Sequence, residues 1–70
     1  MQMKLMEAEA AVEAILFISG EAVTLKRISE IMGENIDKTK QIVEALMERY
    51  KKEERGIQII EINNAFQMCT

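Results

Sequence analysis

The chain contains no proline, and each of its three glycines, at positions 20, 33 and 56, coincides with a break in the spacing of apolar residues. This punctuation constrains the fold more than any other feature. Glycine costs backbone entropy inside a helix or strand and supplies the positive φ that ends one, so the segments between glycines carry separate periods. From about Lys4 to Ser19, Leu5, Ala8, Val12, Ile15 and Leu16 share one face at the helical period, with Ala11 and Ile18 on its flank. A helix is predicted there, with Gly20 as its C′ residue. Thr24 is a good N-cap for a second helix of about two turns, in which Leu25, Ile28, Ile31 and Met32 make a narrow stripe up to Gly33. Asp37, preceded by Ile36, is the expected N-cap of a third helix. Its stripe of Ile42, Val43, Leu46, Met47 and Tyr50 runs to roughly Glu54. Only the segment Gly33 to Ile36 separates these last two helices, and a link that short reads as helix-turn-helix.

After Gly56 the period becomes that of a strand. Ile57, Ile59, Ile60 and Ile62 make this stretch rich in β-branched residues, and Ala65 to Thr70 alternates on its own. Between them, Asn63 and Asn64 suit the two positive φ angles of a tight hairpin. The predicted architecture is mainly α with a β-hairpin: a winged helix-turn-helix of three helices plus wing, occupying residues 1–70 as a single domain.

Composition excludes several kinds of function. Cys69 is the only cysteine and histidine is absent, so neither an internal disulfide nor the usual metal and acid–base ligand sets can be assembled. Ser19 and Ser29 have no base to activate them, and the carboxylates are expected on exposed helix faces. No catalysis, cofactor or metal is expected. The apolar run Ala14 to Ile18 is too short to span a membrane, and glutamates at 7, 9 and 13 precede it where a signal peptide would be basic. A cytosolic chain is expected. With 49% apolar residues in 70, the domain is small for its apolar content, so either it is marginal alone or part of that surface is covered by a partner.

The first helix carries a second apolar face. Met6, Ala10, Ala14 and Phe17 lie within about 80° of one another at the helical period. Glu9 and Glu13 separate them from the main stripe on one side, and Glu7 on the other. A surface helix of a monomer needs one stripe. The four residues are therefore candidates for a dimer or partner interface, unless the face packs under the hairpin or merely exposes alanines. The third helix stands where a recognition helix would, and Lys38, Lys40, Arg49 and Lys52, together with Lys51, are the candidate phosphate contacts of a DNA-binding alternative. Glu44 and Glu48 sit amid the same face, the wing tip has no cation, and the net charge is −3. Pairs such as Lys40–Glu44 and Glu48–Lys52 suit a solvated helix surface better.

Specific stretches of the chain resemble a known family. Val12-Glu13-Ala14-Ile15-Leu16-Phe17-Ile18-Ser19-Gly20-Glu21 is similar to the "EAILFxSGE" opening of segregation and condensation protein B, ScpB. The resemblance continues through Leu25, Ile28 and Met32-Gly33. It ends in Arg55-Gly56-Ile57-Gln58-Ile59-Ile60-Glu61-Ile62 and Phe66-Gln67-Met68-Cys69-Thr70, similar to the family's "RGxxLxEVxxGYxLxT". Ala22, where the family often has proline, and the turn Asn63-Asn64-Ala65 depart from it, both in loops. The resemblance implies the N-terminal domain of a longer protein with two winged helices. It further implies a homodimer that binds the kleisin ScpA and, through it, an SMC ATPase, in bacterial chromosome condensation and segregation. Contact with DNA would be indirect, and the place of action the cytoplasm, at the nucleoid. A winged-helix transcriptional regulator is the alternative.

Overall fold

A computed structural model describes residues 5–54 and 56–69, with the side chain of Leu5 left out. Lys4, the expected start of the first helix, lies outside the described residues, as do Arg55 and Thr70 of the family-like hairpin. The elements run α1 (Leu5–Ser19), β1 (Val23–Thr24), α2 (Leu25–Met32), α3 (Ile36–Lys52), β2 (Gln58–Ile62) and β3 (Ala65–Cys69). Three helices pack against a three-stranded antiparallel sheet ordered β1-β3-β2, which is the winged helix.

The local signals act where the sequence places them. The Gly20 N–H reaches the Leu16 carbonyl at the end of α1, with φ +68°. Gly33, at φ +65°, closes α2 with its N–H on Glu30 O (3.2 Å), and the Glu34 N–H returns to Ser29 O (3.0 Å), a Schellman closure. A Cβ at either glycine would meet nothing within 4 Å, so the requirement is the left-handed backbone and not space. Thr24 caps α2 by accepting the Arg27 N–H (3.1 Å). Asn63 and Asn64 take φ +49° and +63°, and their turn sets the register Ile62↔Ala65 through Gln58↔Cys69.

Two features differ from expectation. The N-cap of α3 is Asn35, whose Oδ1 accepts the Lys38 N–H at 2.7 Å, and not Asp37, which falls inside the first turn. Both residue types cap well, but the Asn35 carbonyl also receives the buried Thr39 hydroxyl (2.8 Å) and the Thr39 N–H (3.0 Å). Starting the helix at Asp37 would forfeit both bonds. The other difference is β1, a two-residue strand too short for its alternation to register. It pairs Val23 with Phe66 and Thr24 with Ala65, and the Leu25 N–H continues the ladder to Asn64 O (2.8 Å). Thr24 therefore ends a strand and caps a helix at once.

The core gathers Ala8, Val12 and Leu16 of α1, Leu25 and Ile28 of α2, and Ile42, Val43, Leu46 and Tyr50 of α3 over Val23, Ile59 and Phe66 of the sheet. Ile15, Met32 and Met47 pack at its margin. Ile31, expected in the α2 stripe, is 51% exposed. It stands about 60° beyond Ile28, on the side away from Leu25 and Met32. Ser29 is buried, with its hydroxyl donated to Lys26 O (2.7 Å). Among the described residues no helix is long and apolar enough to cross a membrane.

Candidate interaction surface

The rotation of α1 about its axis decides which of its faces is free. Ala8, Val12 and Leu16 turn inward, and two carboxylates beside them are anchored to α3. Glu9, only 5% exposed, accepts from the Arg49 guanidinium, and Glu13 accepts from the Tyr50 hydroxyl. These carboxylates are not on an exposed face, as the sequence pattern suggests, but wedged between two helices. Glu9 and Glu13 are one helical turn apart, and Arg49 and Tyr50 are adjacent, so the two bonds lie along one seam.

With that seam fixed, the face of α1 just beyond Glu13, turned away from Ala8, Val12 and Leu16, meets solvent. Met6 and Phe17 are 71% and 72% exposed, and Ala10 and Ala14 are exposed between them. All four residues of the second apolar face are therefore on the surface, and the hairpin does not cover them. Ile18, on the flank of the expected core stripe, is 81% exposed and extends the face further. An α-helix that is apolar most of the way round is normally buried. This one is covered on one side.

The surface is contoured. On one flank of Phe17 a depression of about 290 Å³ is lined by Ala10, Glu13, Ala14, Tyr50, Ile57 and Met68. A second, of about 200 Å³, includes Leu16, Gly20, Ile57, Met68 and Cys69. Around the other flank, a groove of about 590 Å³ runs between Ile15 and Ile18 of α1, Ala22 and Val23, and Arg27 and Ile31 of α2. Nothing in the sequence pattern marks Arg27, Ile57 or Met68 as lining this surface, and the α2 stripe places Ile31 in the core. For Ile31 the phase of the α2 wheel was an available signal. For Ile57 and Met68 no local signal exists, because their proximity to Phe17 depends on how the hairpin packs.

The candidate phosphate contacts are dispersed. Lys38, Lys40 and Lys52 are exposed, but Arg49 is turned back onto Glu9 and is not part of an exposed cationic set. Lys38 pairs with Glu34 at 3.5 Å, and Glu44 and Glu48 remain exposed on the face between them. Among the described residues, neither Lys40–Glu44 nor Glu48–Lys52 closes to an ion pair, so these side chains are solvated singly.

The fold and this surface define a winged helix with an apolar helix face left uncovered. The chain belongs to the ScpB family: the family model described as "Segregation and condensation complex subunit ScpB" matches residues 10–70. Curated relatives include segregation and condensation protein B of Lachnoclostridium phytofermentans, 47% identical over 68 residues, covering 97% of this chain and 36% of that protein. That of Agathobacter rectalis is 42% identical over 66 residues, covering 93% and 35%. The chain thus spans about a third of the length of these relatives. Among solved structures, it is similar to a dimer of an ScpB N-terminal domain complexed with an ScpA peptide. The TM-score there is 0.89, with 34% identity over 94% of this chain and 83% of that one. ScpB from Mycobacterium tuberculosis shares the fold, with a TM-score of 0.93 at 14% identity, covering 100% of this chain and 44% of that one.

Proposed function

We propose that this chain is a non-enzymatic subunit of a bacterial SMC–kleisin complex, acting in chromosome condensation and segregation by pairing with a second copy and binding the kleisin ScpA. It would be the N-terminal of two winged-helix domains in a longer protein, working in the cytoplasm at the nucleoid, with DNA reached through its partners. The observation that carries this reading is the exposed apolar face Met6, Ala10, Ala14 and Phe17 on a helix packed into the core through Ala8, Val12 and Leu16 and anchored to α3 through Glu9. Covering Phe17 alone supplies about 1.5–3 kcal/mol of the attraction a partner needs. The alanines permit close helix approach, and Phe17 stands beside depressions on its own face, the arrangement that a two-fold pairing requires. Membership in the ScpB family and the likeness to a dimeric, peptide-bound ScpB domain support the same reading.

Sedimentation of the chain across a salt series, with a random DNA duplex in parallel, tests it. A dimer that persists in high salt and leaves the duplex unshifted is expected. A monomer that shifts the duplex at moderate salt overturns the reading.

A further inference from the structure

One edge of the sheet has a regular alternation of unpaired backbone groups. Strand β2 lies at the side of the order β1-β3-β2, and no strand pairs beyond it among the described residues. Asn63 and Asn64 form a two-residue turn, which makes Ile62 and Ala65 a hydrogen-bonded pair. The backbone groups of Ile60 and Gln58 therefore turn toward β3 as well, and those of Ile59 and Glu61 turn outward. The Leu25 N–H on Asn64 O fixes the same alternation from the β1 side. Neither Ile59 nor Glu61 bonds another element through its backbone among the described residues.

Native edge strands are commonly guarded by proline, lysine or a bulge. β2 has neither residue, and its pairing with β3 runs unbroken from Gln58 to Ile62. A hollow of about 290 Å³ between α3 and β2 reaches Ile59, so the helix does not seal the edge. Glu48 and Lys51 both line that hollow, and its charge selects no occupant. The strand's own register does.

Turned about a two-fold axis through Ile60, a second β2 overlaps the first over its whole length. Ile59 of each copy then exchanges two backbone bonds with Glu61 of the other, and every outward group of the pair is satisfied. The two Ile60 side chains meet across the axis, on the face turned away from the core residue Ile59, and each Ile62, 49% exposed, comes beside Gln58 of the other copy. Glu61, the one charge in the strand, lies opposite Ile59 and not opposite its twin. An axis through Glu61 would instead set two carboxylates against each other.

We propose that β2 is a second self-association surface, through which copies join edge to edge by antiparallel β2–β2 pairing centred on Ile60. It is separate from the Phe17 face, and two isologous contacts on one chain link pairs into larger assemblies. One strand edge buries less than about 1,200 Å², so the contact is weak and shows at about millimolar concentration.

Sedimentation equilibrium of the chain from about 10 μM to about 1 mM tests the proposal, with far-UV circular dichroism on each variant. The mass is expected to rise past a pair at the upper concentrations. Glu61→Pro removes an outward N–H and no bond to β3, and should hold the mass at a pair. Ile60→Lys and Ile60→Glu each set like charges across the axis and should do the same, whereas an equimolar mixture of the two should rise past a pair again. That mixture decides the matter even if Glu61→Pro loses its fold. A wild-type chain already paired at the lowest concentration that never grows further overturns the proposal. So does growth that the Ile60 variants leave intact, or a mixture that does not restore it. A chain still single at the lowest concentration fails the pairing through Phe17 instead. The edge contact is then the rise from one copy to two, lost and restored by the same Ile60 variants.

Discussion

Arg49, near the C-terminal end of α3, donates its guanidinium to the buried carboxylate of Glu9 in α1, forty residues earlier in the chain. The adjacent Tyr50 does the same for Glu13. A bond between a buried carboxylate and a half-exposed cation contributes little net stability by itself, because desolvation offsets most of the attraction. Its consequence is geometric: it holds α1 at one rotation, with Ala8, Val12 and Leu16 inward and Met6, Ala10, Ala14 and Phe17 outward. The exposed apolar face is therefore presented by a fixed helix.

Removing one member of that pair should cost more than removing both. Arg49→Ala leaves Glu9 buried without its cation and is expected to lower stability by about 1–3 kcal/mol. The double variant Glu9→Met/Arg49→Ala restores an apolar contact and should recover at least about 1 kcal/mol of the loss. Urea unfolding of the four members of the cycle measures it. A double variant no more stable than Arg49→Ala would refute the account.

The N-cap of α3 gives a sharper local test. Asn35→Ala removes the acceptor for the Lys38 N–H and should cost about 1 kcal/mol. Asp37→Ala removes only a favourable charge in the first turn, worth about 0.3–1 kcal/mol at low salt and less in high salt. Thermal unfolding at two ionic strengths distinguishes them. If Asp37→Ala proves the costlier in high salt, Asn35 is not the cap.

The wing turn is held by two asparagines at positive φ. Glycine takes that backbone without a Cβ clash, so Asn64→Gly should raise stability by up to about 1 kcal/mol, whereas Asn64→Val should lower it by about 1–2. The Asn64 carbonyl that receives the Leu25 N–H is present in both, so the comparison isolates the turn. Unfolding midpoints that do not differ between the two would contradict the turn geometry.

These cases also mark what sequence can convey. Thr24, Gly33 and Asn63-Asn64 act on neighbours within a few positions, so their residue types sufficed to place a cap, a stop and a hairpin. Asn35 and Asp37 competed for one role, and the deciding bonds involve the buried Thr39. The short β1 exists because Phe66 pairs with Val23 across the domain, and Glu9 is buried because Arg49 arrives from another helix. Neither leaves a local trace. The second apolar face of α1 was legible because Met6, Ala10, Ala14 and Phe17 stand apart from the core stripe by phase alone. The groove beside it was not, since it needs α2 to be placed and Ile31 to fall outside the core.

Phe17→Glu tests the face most directly. In the isolated domain this side chain is 72% exposed, so a carboxylate there breaks no internal packing and adds no buried charge. Monomer stability should change by no more than about 0.5 kcal/mol, and helicity should be retained. In a two-fold pair each copy would bring one new charge to the contact, and both would be desolvated beside the engaged Glu13. Losing the apolar anchor and burying two carboxylates should weaken pairing by at least about a hundredfold, enough to leave monomers at working concentrations. Lys38→Glu, at an exposed site near the start of α3 that lines neither depression beside Phe17, should leave the mass unchanged. An undiminished dimer mass for Phe17→Glu would remove this face from the contact, wherever else the two copies meet.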